Sequence, residues 1–291
     1  MGSPCALTLY ARNIAQFKEA VFRCEQEMQR LEHKYSRYLP NSLLSQINRL
    51  AGSHKGTPLD DETWFLLNYA NTVYEQSDGL FDISSGILRT VWNFKQPQLP
   101  DTDKLHSLLE KIGWHKITLD RQHFVLPEAQ MQLDLGGIVK EYAADCLANI
   151  LYDLDIHSGV VDLAGDIRVL GPHPDGSPWQ VGIRHPQHPE RAIATIPLMF
   201  GGLASSGDYA RCFDLNGKRY SHLLNPKTGW PIQGLASVSV WTEQCVIAGS
   251  VATIAMLKGE MEGNEWLKQV DVPFFSINQK MKILRNETQS E

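Results

Sequence analysis

The stretch of residues 134–142, Asp-Leu-Gly-Gly-Ile-Val-Lys-Glu-Tyr, stands where a strand-like segment gives way to a helical one. Paired glycines at such a junction let a backbone approach a ligand closely, and the helix start offers free N–H groups to an anion. Lys140 adds a positive charge. The spacing fits neither a Walker A loop nor a G-x-G-x-x-G fingerprint. Taken alone, the stretch is compatible with a structural glycine turn or with a phosphate site.

The segments around this stretch predict several helices. Apolar residues recur every three or four positions from Ile14 to Leu31, after the capping residue Asn13. Further helices are predicted after Asp60 or Asp61, after Asp101, and at 137–154 and 245–257. The longest apolar run, 245–257, is too short to cross a bilayer, so no membrane span is expected.

Alternating apolar segments and turn residues predict many short strands. They lie at 6–10, 116–119, 123–126, 131–133, 159–163, 167–170, 180–183, 194–198, 210–215, 218–221, 237–241, 274–277 and 280–284. This order of helices and mostly antiparallel strands predicts an α+β fold, with mixed and antiparallel sheets flanked by helices. We expect one unit over residues 1–285 and a short tail at 286–291, because no Pro-, Gly- or Ser-rich linker divides the chain.

Composition excludes some functions. The 291 residues include 27 basic and 33 acidic side chains, a net charge of −6, so the basic excess expected of a nucleic-acid-binding protein is missing. The five cysteines form no C-x-x-C pair, which favours reduced thiols in a reducing compartment. No secretory leader is visible at the N-terminus. We therefore expect a cytoplasmic protein, or a periplasmic one if a leader has been removed.

Other segments contain residues that could carry chemistry. The polar loop 77–86 holds two carboxylates, and an acidic residue, Asp166, lies between two predicted strands. His222 follows a predicted strand and precedes an Asn-Pro-Lys-Thr-Gly loop. A lone histidine is usually structural, but one at such a position is a candidate for proton transfer.

Together, and in this order, these segments resemble the ApbE family of flavin transferases. The matches are M-G-[ST] at 1–3, S-x-Y-x-P-x-S at 36–42, G-x-F-D at 79–82, D-L-G-G-I-x-K-G-Y-A-x-D at 134–145, an approximate G-G-D-I at 164–167, an approximate T-S-G-D-Y at 205–209 and S-H-I-x-[DN]-P-x-T-G at 221–229. The resemblance extends over residues 1–257 and is specific because the motifs occur as an ordered set.

The resemblance implies an enzyme with an FAD cleft that transfers FMN to a threonine or serine of a partner protein, forms a phosphoester and releases AMP, with Mg²⁺ as a cofactor. It implies the following FAD-binding residues: Met1, Tyr38, Leu80, Phe81, Asp82, Asp134, Lys140, Asp166, Ser206 and Thr228. His222 is the candidate base for the acceptor hydroxyl. The family's acceptor motif, D-G-x-[ST], does not occur in this chain, so the acceptor is expected to be a separate protein.

Two departures from the family pattern concern the metal site, and smaller ones occur at Asp162 and Ala164. Where relatives carry A-D-x-x-[AD]-T, this chain has Gly249 at the position of the metal-binding Asp, and Glu141 replaces the glycine after the motif lysine. We hypothesise that Glu141 supplies the missing carboxylate, with Gly137, Ser250 and Thr253 completing the metal site. The rival interpretation is an exposed Glu141 in the first helical turn and a broken metal site.

A degenerate metal site would leave two other functions open. One is a non-catalytic FAD-binding carrier or assembly protein. The other is an FAD pyrophosphatase that gives FMN and AMP, with water in place of the acceptor.

Overall fold

The computed structural model of the protein describes residues 4–188, 190–209 and 211–286. Six α-helices lie within these ranges. They are α1 (Ile14–Tyr35), α2 (Leu43–Arg49), α3 (Asp61–Gln76), α4 (Thr102–Leu109), α5 (Val139–Asp153) and α6 (Cys245–Val270). Short 3₁₀ helices span Gly86–Thr90 and Trp114–Lys116. None of the helices in these ranges has the length and apolar character needed to cross a bilayer.

Three of these helices begin where their capping residues predict. The side chains of Asn13, Asp60 and Asp101 each accept a hydrogen bond from the backbone N–H three residues later, at 2.9, 2.9 and 2.8 Å. Each cap satisfies one of the N–H groups that a helix start leaves unpaired. The predicted starts of α1, α3 and α4 are therefore confirmed.

The described strands form one large sheet and two hairpins. They are β1 (Cys5–Leu9), β2 (Gly159–Leu163), β3 (Asp166–Gly171), β4 (Trp179–Arg184), β5 (Ala192–Leu198), β6 (Gly201–Gly207), β7 (Cys212–Leu215), β8 (Lys218–Ser221), β9 (Leu235–Thr242), β10 (Phe274–Asn278) and β11 (Ile283–Asn286). The seven-stranded sheet has the order β1-β2-β3-β6-β9-β10-β11, and β4–β5 and β7–β8 pair separately. Every pairing is antiparallel, and the α+β class is confirmed.

Two sets of strand predictions differ from the structure. Segments 116–119, 123–126 and 131–133 are not strands; they contribute only the single bridges Thr57–Phe124 and Ser85–Gln132. Most of their apolar side chains are nevertheless buried in the core, and those of Ile117 and Leu119 pack partly buried against it, which explains the strand-like pattern. Conversely β6, with the sequence Gly-Gly-Leu-Ala-Ser-Ser-Gly, was not predicted because it has few of the residues that favour strands. It lies inside the sheet between β3 and β9.

Helices α5 and α6 cover one part of the sheet and position the residues of the candidate site. α6 packs on β6 and β9, and α5 packs on β2, β3 and α6. The glycine stretch 134–138 immediately precedes α5, so it lies at the end of this packed layer. At the other end of the chain, Asn286, predicted as the first tail residue, belongs to β11 and accepts a hydrogen bond from the Phe274 N–H at 2.9 Å. Residues 287–291 lie outside the described part.

Candidate active site

Asp134 joins three segments at the start of the site. Its Oδ2 accepts a hydrogen bond from Arg37 Nη1 at 3.0 Å, and the same Arg37 nitrogen donates to the Gly86 carbonyl at 3.0 Å. Its Oδ1 accepts the Gly136 N–H at 2.9 Å, which turns the chain toward α5. The predicted FAD-binding carboxylate thus also shapes the glycine loop, and Arg37 connects that loop to the end of α1 and to residue 86.

The glycine loop stays open beside an aromatic ring. A Cβ at Gly137 would lie 3.2 Å from Cζ of Phe81, so the ring is in contact with the loop. Phe81 is itself buried, and its N–H donates to Ser77 Oγ at 2.8 Å. Gly136 and Gly137 remain exposed just before the first turn of α5. Exposed N–H groups at a helix start suit an anionic ligand.

Lys140, in the first turn of α5, and Asp166, the first residue of β3, form an ion pair. The Asp166 side chain is buried, and its Oδ1 also accepts the Ser205 N–H at 3.4 Å. Burial lowers the pKa of Lys140, but the carboxylates of Asp166 and Glu141 outweigh it, so that the pKa is raised and the amine stays charged. Burial raises the pKa of Asp166, which Lys140 opposes. Two of the predicted FAD-binding residues therefore contact each other.

Glu141 is buried, with 8% of its surface exposed, and it lies against Gly249 of α6. The rival interpretation of an exposed first-turn glutamate is therefore wrong. Burial and the neighbouring Asp166 raise the pKa of Glu141. Ser250 is also buried, and its Oγ accepts a hydrogen bond from the Tyr69 hydroxyl at 2.8 Å. Thr253 lies one turn further along α6 and is partly buried.

His222 follows β8 and is held by its backbone. Its N–H donates to the Arg211 carbonyl at 2.9 Å, while its Nδ1 is buried and finds no hydrogen-bond partner among the described residues. Burial, followed by the charges of Arg89 and Arg211, lowers its pKa to about 4. An unperturbed histidine has a pKa near neutrality; burial and the nearby positive charges instead keep this imidazole neutral.

Three arginines at this site were not predicted from the sequence. Arg37 lies within the 36–42 motif but at one of its variable positions, whereas no spacing singles out Arg89 or Arg211. Arg89 has a guanidinium 5.6 Å from the Phe94 ring, and its pKa is lowered by burial. The pKa of His222 responds to Arg89, Arg211 and Lys140 together. A net acidic chain thus concentrates positive charge at the place where an anion would bind.

Some predicted FAD-binding residues are engaged with the protein itself. The Asp82 carboxylate accepts hydrogen bonds from the N–H and hydroxyl of Ser84 at 2.7 and 2.6 Å and from the Trp114 N–H at 3.0 Å. Leu80 packs partly against the core. The Thr228 hydroxyl accepts the Trp230 N–H at 3.3 Å, although Thr228 is exposed.

The remaining predicted residues are accessible or lie outside the described part. Tyr38 is 78% exposed, with the Arg37 guanidinium 5.4 Å from its ring. Ser206 is partly exposed on β6, opposite Val238 of β9. Met1 lies outside the described residues.

Comparison with known proteins identifies the family. The model of the ApbE family matches residues 1–275. This chain belongs to the ApbE family. The FAD:protein FMN transferase of Haemophilus influenzae is 34% identical to it over 257 residues, which are 84% of this chain and 74% of that protein. The Chlamydia pneumoniae protein of the same name is 29% identical over 271 residues, 90% of this chain and 83% of its own.

Solved ApbE structures have the same fold. The ApbE protein of Thermotoga maritima superposes with a TM-score of 0.89 at 26% identity, covering 99% of this chain and 94% of its own. The flavin transferase ApbE from Vibrio cholerae superposes with a TM-score of 0.87 at 25% identity, covering 98% and 94%. The family resemblance inferred from the ordered motifs is confirmed.

The part of the structure described here brings no three His, Cys, Asp or Glu side chains together as a metal cluster. Mg²⁺ commonly takes one or two protein carboxylates and completes its shell with waters and substrate phosphates. The fit of the site to a cation therefore depends on single groups such as Glu141, whose Oε2 is buried and accepts no hydrogen bond from the described residues.

Proposed function

We propose that this protein transfers the FMN half of FAD to a threonine or serine hydroxyl of a separate acceptor protein, releases AMP and requires Mg²⁺. One observation supports the proposal most directly: the neutral imidazole of His222 lies among Arg89, Arg211 and Lys140 in a chain of the ApbE family. Such a site can attract a diphosphate and still accept a proton.

Binding of the FAD diphosphate would depend on positive and N–H groups of this chain. The exposed Gly137 offers its backbone N–H group, since the Gly136 N–H is already donated to Asp134, and the charged Lys140 follows within the first turn of α5. Arg89 adds a further positive charge close enough to Asp134 that the carboxylate raises the Arg89 pKa against the larger effect of burial. Preorganised donors of this kind contribute most of the stabilisation in phosphoryl transfer.

The chemical step needs a base for the acceptor hydroxyl. The hydroxyl oxygen attacks the phosphorus of the FMN half, the bond from that phosphorus to the bridging oxygen breaks, and AMP leaves with that oxygen. The hydroxyl proton passes to the His222 ring. A base with a pKa of about 4 is weak, but the negative charge of a bound diphosphate raises the pKa of a nearby imidazole. We therefore expect His222 to become a stronger base when FAD is bound.

The predicted metal residues fit a divalent cation. Glu141, Ser250, Thr253 and the backbone of Gly137 would hold it, and the buried, unpartnered Glu141 Oε2 is the observation that supports this fit. When bound, Mg²⁺ neutralises charge on the diphosphate oxygens. Asp166 and Lys140 neutralise each other beside it.

The test is to incubate the purified protein with FAD, Mg²⁺ and a carrier protein bearing a D-G-x-[ST] sequence, and to measure AMP release and covalent flavin by fluorescence in denaturing gels and by mass. Equal amounts of AMP and covalent flavin are expected, with loss of both in His222→Asn. AMP without covalent flavin would contradict the proposal in favour of a pyrophosphatase. Bound FAD without AMP would contradict it in favour of a carrier.

A further inference from the structure

Helices α5 and α6 pack antiparallel, and their contacts follow a regular register. Asp145 of α5 accepts the N–H groups of Cys245 and Val246 at 2.9 and 3.0 Å and thereby caps the start of α6. Glu141 lies one turn before Asp145 in α5, and Gly249 lies one turn after Cys245 in α6. These two residues are in contact. A further turn along α6 leads to Thr253, and the exposed Gly137 lies two residues before α5 begins.

Glu141 and Gly249 are complementary in shape. A Cβ placed on Gly249 would lie 2.7 Å from Cγ of Glu141 and 3.1 Å from its Oε1. Real Cβ atoms do not approach carbon this closely, and Cγ lies too near the backbone for the glutamate to move aside easily. Any side chain at position 249 would therefore displace Glu141. Gly249 provides the space in which the Glu141 carboxyl group is held.

The environment of Glu141 lacks one partner. Its Oε2 is buried and accepts no hydrogen bond from the described residues. Lys140, which precedes Glu141 in α5, is already paired with the buried Asp166. One lysine balances one carboxylate, and the second buried carboxyl group, that of Glu141, is left without a paired cation. A divalent cation would satisfy the remaining charge and the unpartnered oxygen.

We propose that Glu141 supplies the carboxylate ligand of the divalent-cation site, and that Gly249 is the space that admits this ligand. The Ser250 and Thr253 hydroxyls of α6 and the Gly137 carbonyl would supply the other oxygen ligands from this chain. The inference rests on the proposed function only in assigning the cation to the FAD diphosphate. Cation binding itself can be measured without any transfer of flavin.

The experiment measures Mn²⁺ binding directly, from the electron paramagnetic resonance signal of free Mn²⁺, with and without FAD. Glu141→Gln keeps the size of the side chain and removes its charge, and Glu25→Gln on the exposed side of α1 is the matched control. We expect Glu141→Gln to weaken Mn²⁺ binding by about tenfold or more and Glu25→Gln to leave it unchanged. The reciprocal variant Glu141→Gly/Gly249→Asp should restore binding, because the carboxylate then approaches from α6.

Equal Mn²⁺ affinity in the wild type and Glu141→Gln would overturn the inference, as would a wild type that binds no Mn²⁺ with or without FAD. If Glu141→Gln does not fold, as judged by circular dichroism, Gly249→Ala provides a second test, since its Cβ displaces Glu141 and should also weaken binding. Metal-dependent transfer that survives Glu141→Gln would leave the proposed function intact and refute only this inference. Mn²⁺ binding that depends on Glu141, in a protein that transfers no flavin, would support this inference and contradict the proposed function.

Discussion

Arg37 Nη1 lies 3.0 Å from Asp134 Oδ2 and donates a second hydrogen bond, also of 3.0 Å, to the Gly86 carbonyl. One side chain therefore connects the end of α1, the first residue of the 3₁₀ helix Gly86–Thr90 and the glycine loop. Because Arg37 and Asp134 are only 16% and 26% exposed, water replaces these bonds poorly.

We expect Arg37→Ala to lower the free energy of unfolding by about 1–3 kcal/mol and to weaken FAD binding by releasing Asp134. Urea unfolding followed by tryptophan fluorescence measures the first effect, and FAD titration measures the second. Arg191→Ala is the control, because Arg191 pairs with Glu190 at 3.5 Å on the surface; its loss should cost less than about 1 kcal/mol. Similar costs for the two variants would show that Arg37 is an ordinary surface arginine.

Lys140 compensates the buried Asp166, whose side chain is 2% exposed. Lys140→Met keeps the apolar stem but leaves a buried carboxylate without its cation, and we expect a loss of about 3 kcal/mol. Lys140→Met/Asp166→Asn should recover part of that loss, since the stranded charge is then absent. Chemical denaturation of the two single variants and the double variant measures the coupling.

The control for this cycle is Lys258→Met. Lys258 pairs with Asp78, but the Asp78 side chain is 77% exposed and water can solvate it when the lysine is lost. We expect a change of at most about 1 kcal/mol. If Lys140→Met/Asp166→Asn is no more stable than Lys140→Met, loss of the ion pair does not explain the lower stability of Lys140→Met.

Local interactions made the helix starts predictable from the sequence. A cap such as Asn13 acts on an N–H three residues away, so its effect does not depend on the rest of the fold. The strand β6 is different, because the flanking strands β3 and β9 hold a glycine- and serine-rich segment in the sheet. Segment 123–126 shows the reverse error, since burial of Phe124 and Leu126 gives a strand-like pattern without a partner strand.

The site was predictable to the extent that its residues lie in motifs. Glu141 and Gly249 stood out because both depart from the family pattern, and the structure brings them into contact. Arg89 and Arg211 lie more than a hundred residues apart in the sequence, and only the fold places both near His222. Burial and then these tertiary neighbours lower the pKa of His222, and neither effect can be read from the sequence around the histidine.

Trp92 holds the loop that follows His222. Its Nε1 donates to the Gly229 carbonyl at 2.8 Å, and its ring stacks on Tyr220, two residues before His222, with centroids 6.1 Å apart. Trp92→Phe keeps an aromatic ring but leaves a buried carbonyl unpaired, which should cost about 1–3 kcal/mol. We expect the kcat of flavin transfer to fall while the KM for FAD changes little, because the loop that positions His222 loosens.

Trp179→Phe is the matched control for this prediction. Trp179 Nε1 also donates to a backbone carbonyl, that of Gly171 at 2.9 Å, but Trp179 begins β4, away from the β7–β8 hairpin. Its substitution should affect stability without lowering kcat. Unfolding curves and initial rates of covalent flavin formation separate the two effects, and an equal loss of kcat in both variants would rule out a positioning role for Trp92.

The lowered pKa of His222 predicts how stability depends on pH. The pKa falls from 6.5 to about 4 on folding, through burial and then through the charges of Arg89, Arg211 and Lys140. Above pH 6.5 the ring is neutral in both states, but between pH 6.5 and 4 the unfolded chain binds a proton that the folded chain does not. The wild type should therefore lose up to about 3 kcal/mol through His222 as the pH falls across this window. In His222→Asn that loss is absent. Denaturant unfolding at pH 7, 5.5 and 4 measures the free energy of unfolding of both proteins. As the pH falls, we expect the wild type to lose more stability than the variant. The exposed-histidine variant His106→Asn should follow the wild type at every pH; a constant difference between wild type and His222→Asn would mean that His222 is not held neutral by the fold.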